Sequence, residues 1–193
     1  ISWTDGGSWQ PFQLNLPITP VLDLKVHKGD LIVATSGRSF WVLDDLKILN
    51  QYTDKSATKL YAPEDAVYGF WGSPLSGNSD SFDGSQTFVG TNPANGMVLY
   101  YDLPKIADST HISLEILDES GEVIRNLSSE SPKNFESYDG GPPRPQVIPK
   151  KEGLNRFVWN MRHKTMPGVP EVYIEASYRG HVASPGEYTI HLK

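Results

Sequence analysis

Apolar and polar residues alternate along this chain with a period of two, in one short run after another. Leu22, Leu24 and Val26 are interleaved with Asp23 and Lys25, Ile112, Leu114 and Ile116 with Ser113 and Glu115, and Tyr188, Ile190 and Leu192 with Thr189 and His191. That period sends alternate side chains to opposite faces of a sheet, whereas a helix face repeats every 3.6 residues or about that. Gly and Pro separate the runs, supplying 17 and 15 of the 193 residues. Short alternating runs broken so often by chain-turning residues specify an all-β protein rather than a helical bundle.

Residues 1–52 predict a propeller-blade-like antiparallel sheet. Strands at 22–26, 31–35 and 40–43 are joined by turns at His27-Lys28-Gly29-Asp30 and Ser36-Gly37-Arg38-Ser39, and a helical turn follows at 44–52 with Asp44 or Asp45 as its cap. One blade cannot bury both of its faces, so the sheet needs neighbours. The chain opens on Ile1 within this strand-and-turn unit and is therefore read as part of something longer. Residues 53–96 are a Gly/Pro-rich connector, with a brief strand at 58–62 and the polar run Ser76-Gly77-Asn78-Ser79-Asp80-Ser81. In residues 97–193, strands starting near 97, 111, 122, 154, 172 and 187 predict an immunoglobulin-like β-sandwich, with a Pro- and Gly-rich loop at 129–152.

Acidic residues number 23 against 17 basic ones, a net charge of -6, and no block of Lys and Arg occurs. This balance argues against nucleic acid as a partner on counterion grounds, and a polybasic membrane patch is missing for the same reason. No apolar run reaches the roughly 20 residues of a membrane-spanning helix. The absence of Cys removes disulfides, thiolate metal sites and a Cys nucleophile together.

No contiguous catalytic motif stands out. A Gly-x-Ser-x-Gly elbow, a His-Glu-x-x-His helix and the phosphate- and dinucleotide-binding glycine loops are all missing. His27, His111, His163, His181 and His191 are scattered and read as surface or rim residues. Asp44-Asp45, Glu64-Asp65 and Asp118-Glu119 are adjacent pairs, whereas glycosidase chemistry wants two carboxyls flanking a sugar. Asn78, Asp80 and Asp83 offer oxygen ligands for Ca²⁺, but their spacing is not that of an EF-hand and a polar loop is favoured. The aromatics have two readings. Trp9, Phe40, Trp41 and Trp159 fill sheet interfaces, with Tyr68-Gly69-Phe70-Trp71 over a blade edge, or an exposed set of Trp and Tyr stacks on sugars or a partner. No catalytic, cofactor-binding or metal-binding residue is assigned.

Ser2-Trp3-Thr4-Asp5-Gly6-Gly7-Ser8-Trp9 resembles an Asp-box, the Ser-x-Asp-x-Gly-x-Thr-Trp turn of BNR repeats, with Thr4 at the usual Asp position and Ser8 in place of Thr. In such a turn polar side chains satisfy the backbone of a Gly-containing hairpin and the Trp packs beneath it. Residues 14–21 and 30–46 resemble the last blade of secreted bacterial BNR, sortilin (VPS10)-like propeller proteins. Residues 90–101, 153–162 and 183–189 are similar to the Gly-rich loop and C-terminal sandwich that follow it. The resemblance implies a C-terminal piece of an exported protein, periplasmic or extracellular, and the rich strand patterning with no convergent catalytic motif reads as a non-catalytic region whose partners are the rest of the propeller and a protein or glycan. Such proteins are often labelled glycosyl hydrolases, so the alternative is a segment of an extracellular glycoside hydrolase with its active site mainly upstream. The Asp-box residues inherit no catalytic role, because these turns lie away from the catalytic face.

Overall fold

The computed structural model describes residues 1–52, 57–69, 94–169, 171–173, 175 and 177–193. Among them the regular structure is all-β apart from one five-residue helix, and the strands form three antiparallel sheets of three. The chain divides into two compact units, Ile1–Tyr52 and Thr53–Lys193. Of the connector expected at 53–96, residues 53–56 and 70–93 lie outside the described residues, Asn78, Asp80 and Asp83 included, as do Phe70 and Trp71.

The first unit opens with a tight hairpin. Gln10 N–H donates to Ile1 O at 2.9 Å, Ser2 Oγ accepts Gly6 N–H at 2.8 Å, and Thr4 Oγ1 accepts Ser8 N–H at 2.9 Å. Two hydroxyls thus satisfy the turn, while Asp5 and Gly6 take the left-handed conformations it requires, with φ of 48° and 89°. Trp9 does not pack beneath the turn: it is 74% exposed, and Trp3 instead lies 5.6 Å from the Tyr52 ring.

The sheet of this unit consists of β1 (Val21–His27), β2 (Asp30–Thr35) and β3 (Phe40–Leu43), in that order. Lys28 and Gly29, with φ of 50° and 91°, form the two-residue connection between β1 and β2 that suits the natural strand twist. Register pairs Leu24 with Val33 and Val33 with Trp41, and Val26 with Leu31 and Leu31 with Leu43, so these six apolar residues share one face. The opposite face carries Lys25, Ile32 and Val42 in one row and Asp23, Ala34 and Phe40 in the next. The helix α1 (Lys47–Gln51) has Leu46, not an Asp, at its N-cap, with no side-chain cap bond. Asp45 takes φ of 59°, and its N–H donates to Asp30 Oδ1 at 3.1 Å.

In the second unit, β4 (Lys59–Leu60), β5 (Met97–Leu103) and β8 (Gly153–Trp159) form one sheet in the order β4-β5-β8. A second sheet, β7-β6-β9, is built from β6 (Ser113–Leu117), β7 (Val123–Ser128) and β9 (Thr189–Leu192). Strict alternation explains the core. Leu99, Tyr101, Leu103, Phe157 and Trp159 from one sheet meet Leu114, Ile116, Ile124 and Leu127 from the other in a single buried cluster. Buried polar groups are tied within it: Asn155 exchanges bonds with Lys151 N–H at 2.9 Å and Lys151 O at 2.7 Å, and Asp102 accepts the Tyr61 hydroxyl. The Tyr101 hydroxyl reaches Pro149 O at 2.5 Å, anchoring the end of the 129–152 loop, and burial pushes this phenol up.

The strand expected at 172–178 is not formed among the described residues there. Glu171 turns the chain with φ of 61°, and Val172 N–H closes back on Val169 O at 3.2 Å. The chain returns instead along 161–166 through single bonds: Met166 N–H to Tyr178 O, His163 N–H to His181 O and Ala183 N–H to Met161 O.

Candidate functional site

The segments 161–166 and 178–188 run beside the β6–β7 turn, and chemistry-bearing side chains of the second unit gather there. Asp118 builds the turn. Its Oδ1 accepts Ser120 N–H at 2.9 Å, Ser120 Oγ–H at 2.6 Å and Glu122 N–H at 3.0 Å. The Ser120 hydroxyl, then the Glu122 amide, hold the Asp118 carboxyl below its ordinary value of 3.8. Glu119 Oε1 accepts Glu187 N–H at 3.3 Å. Both carboxylates of this pair therefore hold loops.

A cleft of about 400 Å³ opens beside this turn, lined by Asp118, Glu119, His163, His181, Glu187 and Tyr188 among others. The His163 and His181 rings stack with centroids 3.7 Å apart and planes at 28°. Gly180 lets their backbones close, since a Cβ there would come within 2.3 Å of His163 O. Burial, and next the neighbouring His181, hold the His163 imidazole below its ordinary value, against opposing pulls from Asp118 and Glu122.

His163 also lines a second cleft, of about 340 Å³, with a different character. Arg125, Arg144, Arg162 and Arg179 line it, four of the chain's six arginines, together with Asn160 and Gln146 among others, and no Asp or Glu does among the described residues. Local structure positions three of the arginines. A register shift in the β6–β7 pair sets Arg125 opposite Ile116 and Val123 opposite Leu117, so Ile124 is an extra residue and the strand is re-aimed at this point. Arg125 Nη1 donates to His163 O at 3.2 Å. Arg162 bridges Gly180 O at 2.9 Å and the Tyr68 hydroxyl at 3.2 Å. Arg144 stands between Pro143 and Pro145, which restrict its backbone, with its guanidinium 5.9 Å from the Phe135 ring. Arg125 Nε and Asn160 Oδ1 are buried without a hydrogen-bond partner, and none of the four arginines has an ion pair among the described residues.

The remaining candidates are dispersed. His27 ends β1 opposite Asp30, His191 lies on β9 opposite Glu115, and His111 Nδ1 sits 2.8 Å from Glu130 Oε1 at the surface. Glu64 and Asp65 are exposed, and Asp44 and Asp45 belong to the first unit. Among the described residues no group of three His, Cys, Asp or Glu is placed to hold a metal ion, and no helix is long and apolar enough to cross a membrane. The aromatic set divides. Trp159 is buried and Trp41 half-buried, as interface filling requires, whereas Trp9 and Phe40 are exposed, and Tyr68 meets Arg162 of the second unit. The four arginines were invisible to motif reading because 19, 18 and 17 residues separate them along the sequence. A search for contiguous basic blocks finds none of them; only the fold collects them. Comparisons with protein-family models, with curated proteins and with solved structures find no match to this chain.

Proposed function

We propose that the chain is a non-catalytic structural and interaction region of an exported, Asp-box-type propeller protein. In this reading residues 1–52 belong to a blade and residues 97–193 form an immunoglobulin-like sandwich. The observation that carries it is that the β1–β3 sheet leaves large apolar side chains exposed on both faces, with Asp23 and Lys25 the charged residues among Ile32, Ala34, Phe40 and Val42 on the second. An antiparallel sheet with one wet face keeps polar residues on that face. Here Leu24 and Val26 are 59% and 64% exposed on one side, and Phe40 and Val42 are 74% and 58% exposed on the other. Burial of each such side chain supplies about 1.5–3 kcal/mol, so a covering layer on each side recovers several times that. Radially repeated sheets provide such layers, one neighbour per face.

The sandwich half of the reading is supported by the two sheets of the second unit sharing one cluster of inward residues. The non-catalytic half is supported by Asp118 and Glu119, whose oxygens are engaged by backbone N–H groups. The partners are then the remainder of the propeller and, at outward faces, a protein or glycan.

The test is Leu24→Asp made twice, in this chain and in the longer protein the proposal requires. Thermal unfolding of the longer protein should fall by roughly 10 °C or more, because a buried unpaired carboxylate costs several kcal/mol. In this chain, where Leu24 is exposed, the midpoint should move little. Equally small shifts in both contexts would refute the covered-blade reading.

A further inference from the structure

We propose that the arginine-lined cleft of the second unit binds a small oxyanion-bearing ligand, a phosphate or sulfate ester of about monosaccharide size. This goes beyond the propeller reading and does not depend on it, because every residue involved belongs to the unit Thr53–Lys193.

Four observations converge. Arg125, Arg144, Arg162 and Arg179 face one cleft of about 340 Å³ with no carboxylate in its lining among the described residues, on a chain whose net charge is -6. Clustering like charges without counter-charges is unfavourable unless an anion joins them. Two of the guanidiniums are held in place, Arg125 by His163 O and Arg162 by Gly180 O and the Tyr68 hydroxyl, so their remaining N–H groups are presented at little further entropic cost. Arg125 Nε is a buried donor without a partner, and burial holds the Arg125 guanidinium below its ordinary value, the signature of an under-solvated cation. Planar guanidinium forks match tetrahedral oxyanions through paired N–H···O bonds.

Size and charge narrow the class. A cleft of this volume is at the small end for organic ligands. The overall negative charge gives a long polyanion no long-range attraction, whereas a compact ligand feels the local field of the arginines. Asn160, which lines the same cleft, offers its amide to a neutral hydroxyl next to the anionic group. The ligand therefore combines an oxyanion with a neutral hydroxyl.

Isothermal titration calorimetry of the whole chain at low chloride tests this, with inorganic phosphate, inorganic sulfate, glucose 6-phosphate, N-acetylglucosamine 6-sulfate and uncharged glucose as probes. Saturable one-site binding is expected for the ester probes, weakened by added salt, with glucose silent. The tighter of the two esters identifies the phosphate or the sulfate source. Arg125 and Arg162 also bond the backbone, so their replacement tests folding as well; the exposed Arg144→Gln and Arg179→Gln variants separate the two effects. The double variant R144Q/R179Q should weaken binding about tenfold or more with unchanged unfolding, and Arg156→Gln, outside the cleft on β8, should leave binding unchanged. No saturable binding of any anion would overturn the proposal. So would binding that R144Q/R179Q leaves intact or that Arg156→Gln weakens equally.

Discussion

Leu114→Ala probes the core that joins the two sheets of the second unit. Leu114 is fully buried on the central strand β6, opposite Leu127 on β7 and Leu192 on β9. The change deletes three carbons, worth about 0.8 kcal/mol each in transfer from water, or about 2.4 kcal/mol. Both flanking strands are hydrogen-bonded to β6 and cannot collapse onto the space, so a cavity penalty of about 1 kcal/mol adds to this. The expected loss is about 3.5 kcal/mol. For a unit of about 140 residues this lowers the thermal midpoint by roughly 10–14 °C. Urea unfolding followed by tryptophan fluorescence measures it through Trp159, which lies in the same cluster. A loss below about 1 kcal/mol, with the slope of the urea transition unchanged, would mean that the two sheets do not share a close-packed core.

Three further outcomes follow from the same contacts. Tyr61→Phe removes the hydroxyl that Asp102, 3% exposed, accepts, and should cost about 1–3 kcal/mol in urea unfolding; an unchanged midpoint would show that the bond contributes nothing. His163 has a folded-state pKa below its ordinary 6.5, so the unfolded chain takes up this proton first as pH falls. The stabilisation from neutral His163 is therefore full above pH 6.5 and is lost as pH drops through the lowered value; unfolding midpoints between pH 7 and 5 should show it, and His163→Gln should flatten that slope. Asp118, likewise lowered, keeps its turn bonds down through the ordinary carboxylate range, so the Ser120 and Glu122 amide shifts should titrate with a midpoint below 3.8; a midpoint at or above that value would remove the turn bonds from the explanation.

The period-two alternation made the strands legible. Leu114 and Ile116 on β6, and Leu22 to Val26 on β1, were readable because each is flanked by polar neighbours and closed by a turn. Turn chemistry was readable for the same reason at Lys28-Gly29 and at Asp118–Gly121, where local residues decide the conformation. The apolar residues of segment 172–178 satisfy the strand pattern, yet its described residues form no strand and Glu171 just before them lies in the left-handed region. Trp9 misled in another way: a local turn can be satisfied entirely by Ser2 and Thr4, leaving the ring no obligation to pack. The arginine cleft lay beyond sequence pattern altogether. Its members come from β7, the 129–152 loop, the segment after β8 and the return at 178–183, and are juxtaposed only by tertiary pairing.

The central claim is that the β1–β3 sheet is an internal layer of a larger β structure. Amide hydrogen exchange at Ile32, Val33 and Ala34, compared between this chain and the longer protein, tests it most directly. Coverage of both faces should slow exchange at these β2 positions by about 100-fold or more, equivalent to about 3 kcal/mol of added protection. Identical exchange rates in the two contexts would contradict it.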